Sequence, residues 1–504
     1  MDSSIPENSR NPSGDVDSGS QRILKNTGIL SAASVITKVL SALVAILMAR
    51  KLGKEIFGAY ETAFALTFSL VSFSEFGTCT VVTRMGSTSG EKMSRYLGSA
   101  LVFKFIVAVV VFPCAILIAW IAGYSKLVLQ LALILLLFTV ASSFINTLNS
   151  VFQAHQRMSG LAISELVGNV IFASIAVAIL FSSKSVQFVA SSRVLGGFVT
   201  LFLLIYIINS WRLVKFKLNL RLLPKLLLMG LPFGLATLVS AWRLRIDIML
   251  LSALSGEAEA GIFASSYRLL NFLLILALSF SYALTPAAFA LGNQNNNKFS
   301  NTFRRSTFAG LLLAVPAASG VFFLSRPVIS ALFGAEYAPV LIPLKILCWV
   351  LPCLLVWSAT MNSLWGAKRE YLVPIFLAVG LMVNIIVDYL LIPVWGAFGA
   401  SIGALAGLSA SILGAIIYLR LKLFSLKLFK LSWAPITGSL IMLGVLYGLH
   451  PKLISVPGHL FIEIIIGMII YTACLVGFFR AGILPYSDYC YKAFTQVKNK
   501  IFSF

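Results

Sequence analysis

Apolar runs of about 20 residues recur along almost the whole chain, each long enough to cross the ~30 Å hydrocarbon core of a bilayer as a helix. The runs are continuous, not alternating, which excludes the period-two pattern of a membrane β-barrel. Of the 504 residues, 59% are hydrophobic and 11% charged, where a soluble domain carries about 25% charged residues. Mean hydropathy is +0.95. The fold class expected is an all-α integral membrane protein with about 14 transmembrane helices. Their approximate bounds are 27–48, 59–83, 98–122, 127–149, 161–181, 185–208, 226–254, 258–291, 306–325, 340–364, 372–392, 397–419, 434–450 and 458–479.

Residues 1–22 are polar and rich in Ser, Asn, Pro and Gly, the composition of a disordered tail. They lack the apolar stretch and cleavage site of a removable signal peptide, so the first span is expected to serve as its own insertion signal.

The net charge of +22 could suggest a nucleic-acid partner, but its placement argues against one. With 14 spans, the tails and even-numbered loops share one side and hold 25 of the 39 Lys and Arg; the other side holds seven and the spans seven. The dense clusters are "WRLVKFKLNLRLLPK" at 211–225 and "RLKLFSLKLFK" at 420–430. This asymmetry puts both termini in the cytoplasm of a multi-pass protein of the cytoplasmic membrane. The basic excess then meets anionic lipid headgroups, not nucleic acid.

Catalytic and metal signatures do not emerge. Six cysteines (Cys79, Cys114, Cys348, Cys353, Cys474, Cys490) are scattered without metal spacing, so neither a disulfide framework nor a metal or cofactor site is expected. His155, His450 and His459 form no HExxH. The loop "GSTSGEKMS" at 86–94 misses phosphate-loop spacing by one residue, and no connection has room for an ATPase domain.

The chain repeats itself. "LGKEIFGAY" at 52–60 and "LSGEAEAGIF" at 254–263 each hold two glycines five apart, Gly53/Gly58 and Gly256/Gly261; "NSVFQA" at 149–154 is echoed by "NSLWGA" at 362–367. The offsets, 203 and 213 residues, imply duplication of a six-helix unit. An even number of helices makes the copies parallel. The expected organisation is a tail 1–22, an N-terminal six-helix lobe 23–210, a basic cytoplasmic linker 211–225, a C-terminal six-helix lobe 226–419, two further helices within 420–480, and a cytoplasmic tail 481–504.

Ionisable residues inside spans carry the functional signal, since each costs roughly 2.5–3.5 kcal/mol near a helix centre and so faces protein or water. Lys104 and Lys345 lie near span ends and are expected to snorkel. Lys38, Arg193, Arg243, Arg245 and Arg268 lie deeper, and together would cost on the order of 15 kcal/mol if left facing lipid. Arg243 and Asp247, four apart, share a helix face and can pair; Arg245 points away from both. Glu75, Glu165 and Asp247 are candidates for charge pairing or ion coupling, while Glu61, Asp388 and Glu463 are placed near span ends or on the peripheral last helix. Deep cations then outnumber deep acids. A positive cavity between the two halves follows, with an anion as its ligand, and arginine's planar fork suits phosphate. In "MGLPFG" at 229–234, Gly230 and Pro232 give the seventh span a hinge.

Several stretches are similar to the polysaccharide exporters, the Wzx-like lipid-linked oligosaccharide flippases of the multidrug/oligosaccharidyl-lipid/polysaccharide (MOP) superfamily: "NTGILSAASVITKVLSALVAILMARKLGKEIFGAY" at 26–60, "MGLPFGLATLVSAWRLRIDIMLLSALSGEAEAGIFASSYRL" at 229–269, "ALFGAEYAPV" at 331–340 and "NIIVDYLLIPVWGAFGASIGAL" at 384–405. The resemblance implies two six-helix lobes around a cavity that opens alternately to each side. It implies a polyprenyl-pyrophosphate glycolipid as substrate, flipped without covalent chemistry, with membrane lipids and glycan polymerase or export machinery as partners. It also places the first and seventh spans along the cavity, where Lys38, Arg243, Arg245 and Arg268 would meet the pyrophosphate. Two other functions stay open: an ion-coupled multidrug exporter, which would want acids in the cavity, and a membrane glycan polymerase or ligase, which the short external loops disfavour. Cysteines introduced in 211–225 should react with impermeant reagents only from the cytoplasmic side; labelling from outside would reverse the topology.

Overall fold

The computed structural model describes residues 12–182, 185–271, 296–425, 427–453 and 458–483, with side chains from residue 33 on except at Pro232 and 296–299. Its long helices are α1 Pro12–Val71, α2 Thr78–Gly86, α3 Gly90–Ile121, α4 Lys126–Ala154, α5 Met158–Ser182, α6 Val186–Ser210, α7 Leu223–Arg243, α8 Ile246–Ser255, α9 257–271, α10 Asn296–Leu332, α11 Leu341–Leu347, α12 Val350–Gly366, α13 Leu372–Trp395, α14 Ala397–Lys422, α15 Leu428–Leu453 and α16 His459–Arg480. No strand occurs among the described residues. Eleven helices are long and apolar enough to span a membrane, or twelve if the bent pair Leu220–Leu231 and Phe233–Arg243 counts as one span. One of the eleven, Ala33–Ser74, has 42 residues. At 1.5 Å per residue that is roughly twice a bilayer core, and a break at Gly53 divides it.

Differences from the expected spans have local causes. Helix α1 begins at Pro12, inside the segment expected to lack structure; Pro at the first helical position and Asp15 and Asp17 in the opening turns are helix-start features. The bent pair turns by 65° beside Pro232. The expected span 258–291 is described only to residue 271, and the tail beyond 483 lies outside the described residues.

Contacts divide the chain into two units. One comprises Met1–Val44, Leu70–Ile116 and Leu133–Gly234; the other Ala45–Ser69, Leu117–Ala132 and Leu235–Phe504. The first has an apolar core around Val82, Met93, Leu97, Phe152 and Leu204. In the second, two pieces of the N-terminal half pack with the C-terminal half.

Glycine explains how those pieces join. Gly53 (φ 84°, ψ 168°) and Gly256 (φ 90°, ψ 169°) adopt nearly the same left-handed backbone 203 residues apart, a conformation L side chains avoid. Each turns the chain into a helix that begins a few residues before Gly58 or Gly261. Those helices then touch backbone to backbone: a Cβ on Gly58 would strike the Glu257 carbonyl, and one on Gly261 the Lys54 carbonyl. Lys54 and Glu257 are also 203 apart, so the contact is reciprocal, as a duplicated sequence facing its copy requires.

Gly58→Leu or Gly261→Leu should sharply lower the yield of monodisperse protein and its melting temperature in detergent. Gly320, whose missing Cβ faces open space, should tolerate leucine. Equal tolerance at all three positions would refute the tight contact.

Candidate functional site

The seventh expected span is not continuous. Helix α7 ends at Arg243 and α8 starts at Ile246, with Arg245 as its N-cap residue (φ −129°, ψ −19°). This break answers how so apolar a segment tolerates "RLRID". Arg243 falls in the last turn of α7, where carbonyls left without partners favour a cation, and Asp247 in the first turn of α8, where free N–H groups favour an anion. Each placement is worth about 0.3–1 kcal/mol, up to ~2 when partly buried.

The expected Arg243–Asp247 ion pair does not form within 4.0 Å, because the break interrupts the face the two would share. The buried Asp247 instead accepts a hydrogen bond from Asn384 Nδ2 at 2.8 Å, and the same amide donates to Asp388 Oδ2 at 3.0 Å. Asp388 is fully buried, not at the span end where the sequence put it, and its Oδ1 has no hydrogen-bond partner. Gly403 leaves the room, since a Cβ there would strike that oxygen. Arg243 is half-buried, and its guanidinium Nε is buried without a hydrogen-bond partner.

Arg245 and Arg268 converge on Glu61. Arg268 Nη2 pairs with Glu61 Oε1, and Arg245 Nη1 lies 4.0 Å from Oε2. Phe64 and Phe68 occupy the same face of α1 as Glu61, three and seven residues on, and Arg245 sits 4.9 and 5.3 Å over their rings. Glu61, which the sequence puts near a span end, is 2% exposed and serves as a buried counter-charge. At 4 Å and an effective dielectric of about 20, Arg245 gains roughly 4 kcal/mol from that carboxylate, which offsets the cost of one buried cation but not of three. The sequence signal was present in "ETAFALTF" at 61–68, an acid followed by aromatics at helical spacing.

The remaining candidates lie in the first unit. Lys38 is exposed on α1 beside Val35, Ile36 and Val39, which are also exposed. Arg193 packs 4.7 and 4.8 Å over the rings of Phe138 and Phe172. Glu75 neutralises Lys104 at 3.2 Å and accepts from Asn146 and Cys79. Lys104 is therefore completely buried and does not snorkel. Glu165 accepts from Asn149 at 3.4 Å. Lys345 lies 5.0 Å over Phe322. Gly230 packs against the backbone of Phe76 and Gly77.

A family model described as "Polysaccharide biosynthesis protein" matches residues 23–291, and one described as MatE matches 232–390. A probable low-salt glycan biosynthesis flippase, Agl15 of Haloferax volcanii, is 22% identical over 432 residues, covering 84% of this chain and 89% of the relative. Among solved structures, lipid II flippase MurJ in an inward closed conformation superposes with a TM-score of 0.73 at 20% identity, covering 90% of this chain and 99% of the other. An inward-facing MATE-family multidrug resistance transporter of the MOP superfamily follows with a TM-score of 0.63 at 18% identity, covering 77% and 95%. At those identities the structures establish a shared fold.

Removing Glu61 strands two arginines, and breaking a buried pair costs about 3–5 kcal/mol. Glu61→Leu should therefore lower the unfolding midpoint more than Glu61→Leu combined with Arg268→Leu. Additive losses would show that the two side chains are uncoupled.

Proposed function

The chain belongs to the polysaccharide biosynthesis protein family, and from that premise we propose that it flips a polyprenyl-pyrophosphate-linked oligosaccharide across the cytoplasmic membrane by alternating access. It performs no covalent chemistry. Both termini lie in the cytoplasm and the glycan leaves toward the outer leaflet.

The observation that carries this reading is the group of three arginines in the second unit and how they are satisfied. Arg245 and Arg268 share one buried carboxylate, while Arg243 keeps a guanidinium nitrogen without a partner. A diphosphate supplies acceptors for the guanidinium donors left without a partner, and guanidinium groups bind it through paired donors. Arg245, held over two rings, is pre-ordered for this task, and Arg243 at the broken helix end is the first to meet the head group. In the first unit, Lys38 is a further candidate cation, and the bend at Gly230–Pro232 is the hinge. Broken helices at membrane depth are how transporters expose polar backbone to a substrate.

Asp247 and Asp388 form the coupling element. Two carboxylates this deep with one neutral amide between them need a positive partner, and a proton or monovalent cation that enters and leaves with the transport cycle provides it. The multidrug reading is supported by the MatE match and by this acidic pair. Against it, a cationic drug entering the second unit would meet three guanidinium groups, of Arg243, Arg245 and Arg268. Partner proteins of the polymerase or export class follow from the pathway this activity would serve.

In proteoliposomes, Arg243→Ala should cut flipping of a fluorescent polyprenyl-pyrophosphoryl sugar at least tenfold while protein level and melting temperature stay near wild type. Undiminished flipping would remove Arg243 from the site, and efflux of cationic dyes by the wild type would favour the multidrug reading.

A further inference from the structure

A polar pocket lies wholly within the first unit. It has a volume of about 160 Å³ and is walled by Phe138, Asn146, Glu165, Asn169, Phe172 and Arg193 on α4, α5 and α6. Its shape follows from a backbone contact. Gly168 on α5 meets Gly196 on α6, where a Cβ would strike the opposite carbonyl or the Thr200 hydroxyl. Glu165 stands one turn before Gly168 and Arg193 one turn before Gly196. Because consecutive helices joined by a short turn run antiparallel, the acid and the base flank the contact on opposite sides, on the order of 9 Å apart along the axis. At that separation they bracket a ligand instead of pairing directly, and no Glu165–Arg193 ion pair occurs within 4.0 Å.

The chemistry of the walls narrows the ligand. One carboxylate and one guanidinium nearly cancel, so a diphosphate finds no charge surplus here. A bare cation would face Arg193, and the described residues hold no cluster of three metal-binding side chains. An apolar guest would desolvate the hydrogen-bonding capacity that two amides and a carboxylate still hold toward the pocket, at a cost of about 1–3 kcal/mol for each group left unsatisfied. A ring that carries hydroxyls around its edge meets every group: hydroxyls donate to Glu165, accept from Arg193, and do both with the amides, while the ring's C–H face meets the phenyl edges. Asn169 is steadied by donating to the Glu165 carbonyl at 2.8 Å, and Asn146 by donating to Glu75 at 3.1 Å, so both amides are pre-ordered for such a guest.

We propose that this pocket binds a single sugar residue of the transported glycan, a pyranose or N-acetylated pyranose. The assignment rests on the flippase reading and adds to it a sugar-binding pocket in the first unit.

The test uses the full chain in lipid nanodiscs and ligand-observed NMR with free glucose, galactose, mannose, N-acetylglucosamine and N-acetylgalactosamine. At least one should bind saturably in the millimolar range, weaken at least tenfold with Asn169→Leu or Glu165→Leu, and resist displacement by equimolar sodium pyrophosphate. Ser142→Ala, a gentler change in the pocket wall, should weaken binding by severalfold if either larger change fails to yield folded protein. Absence of binding by all five sugars, displacement by pyrophosphate, or wild-type binding in the folded variants would overturn the pocket assignment. Flipping of the fluorescent lipid-linked sugar by the wild type, measured in parallel, separates the two claims: flipping without sugar binding removes the pocket alone, and no flipping removes the flippase reading.

Discussion

A charge inside a helical bundle must find an opposite charge, a helix end or water, and that rule organises the second unit. Glu61, 2% exposed, meets Arg268 directly and Arg245 at 4.0 Å. The broken helix at 244–245 gives Arg243 a carbonyl-rich end and Asp247 an N–H-rich start. These devices offset part of the desolvation cost, and they leave Arg243 with a guanidinium nitrogen that has no hydrogen-bond partner, the group on which the proposed diphosphate chemistry depends.

The architecture was largely legible before any coordinates. Hydropathy gave the helices, since in a bilayer each must satisfy its own backbone, and the repeated glycines at 53/58 and 256/261 marked an exchange of backbone contacts that the structure places in register. The charges were legible only in part. Arg245 and Arg268 were identified as deep, but their partner Glu61 was placed at a span end, because span boundaries drawn from hydropathy are uncertain by a few residues and Gly53 shifts the register. Lys104 erred for the same reason. The Arg243–Asp247 pair was inferred from i,i+4 geometry that a helix break cancels, and no residue in "RLRID" announces that break as Pro or Gly would. Asn384 and Asp388 sat four apart in the sequence, yet their shared partner Asp247 lies 137 residues from Asn384, a separation that periodicity cannot bridge.

The two halves of the chain repeat a packing contact but differ in their polar contents. The α5–α6 contact at Gly168 and Thr200 recurs between α13 and α14 at Gly380 and Ser411, 212 and 211 residues on. At an offset of 212, the counterparts of Asn384 and Asp388 are Phe172 and Ala176, and that of Glu165 is Leu377. Each copy thus keeps its packing glycines and has apolar residues where the other carries its polar groups. Unequal units suit an amphipathic substrate with a charged head and a neutral glycan better than they suit a symmetric one.

The central claim is that the arginines of the second unit recognise a diphosphate, and binding of water-soluble short-chain isoprenyl compounds to the purified protein tests it most directly. The account predicts affinity in the order pyrophosphate over monophosphate over alcohol, with the gap between the first two narrowing about tenfold, some 1.4 kcal/mol, in Arg243→Ala. Equal affinity for all three compounds, or an unchanged gap in the variant, would contradict it.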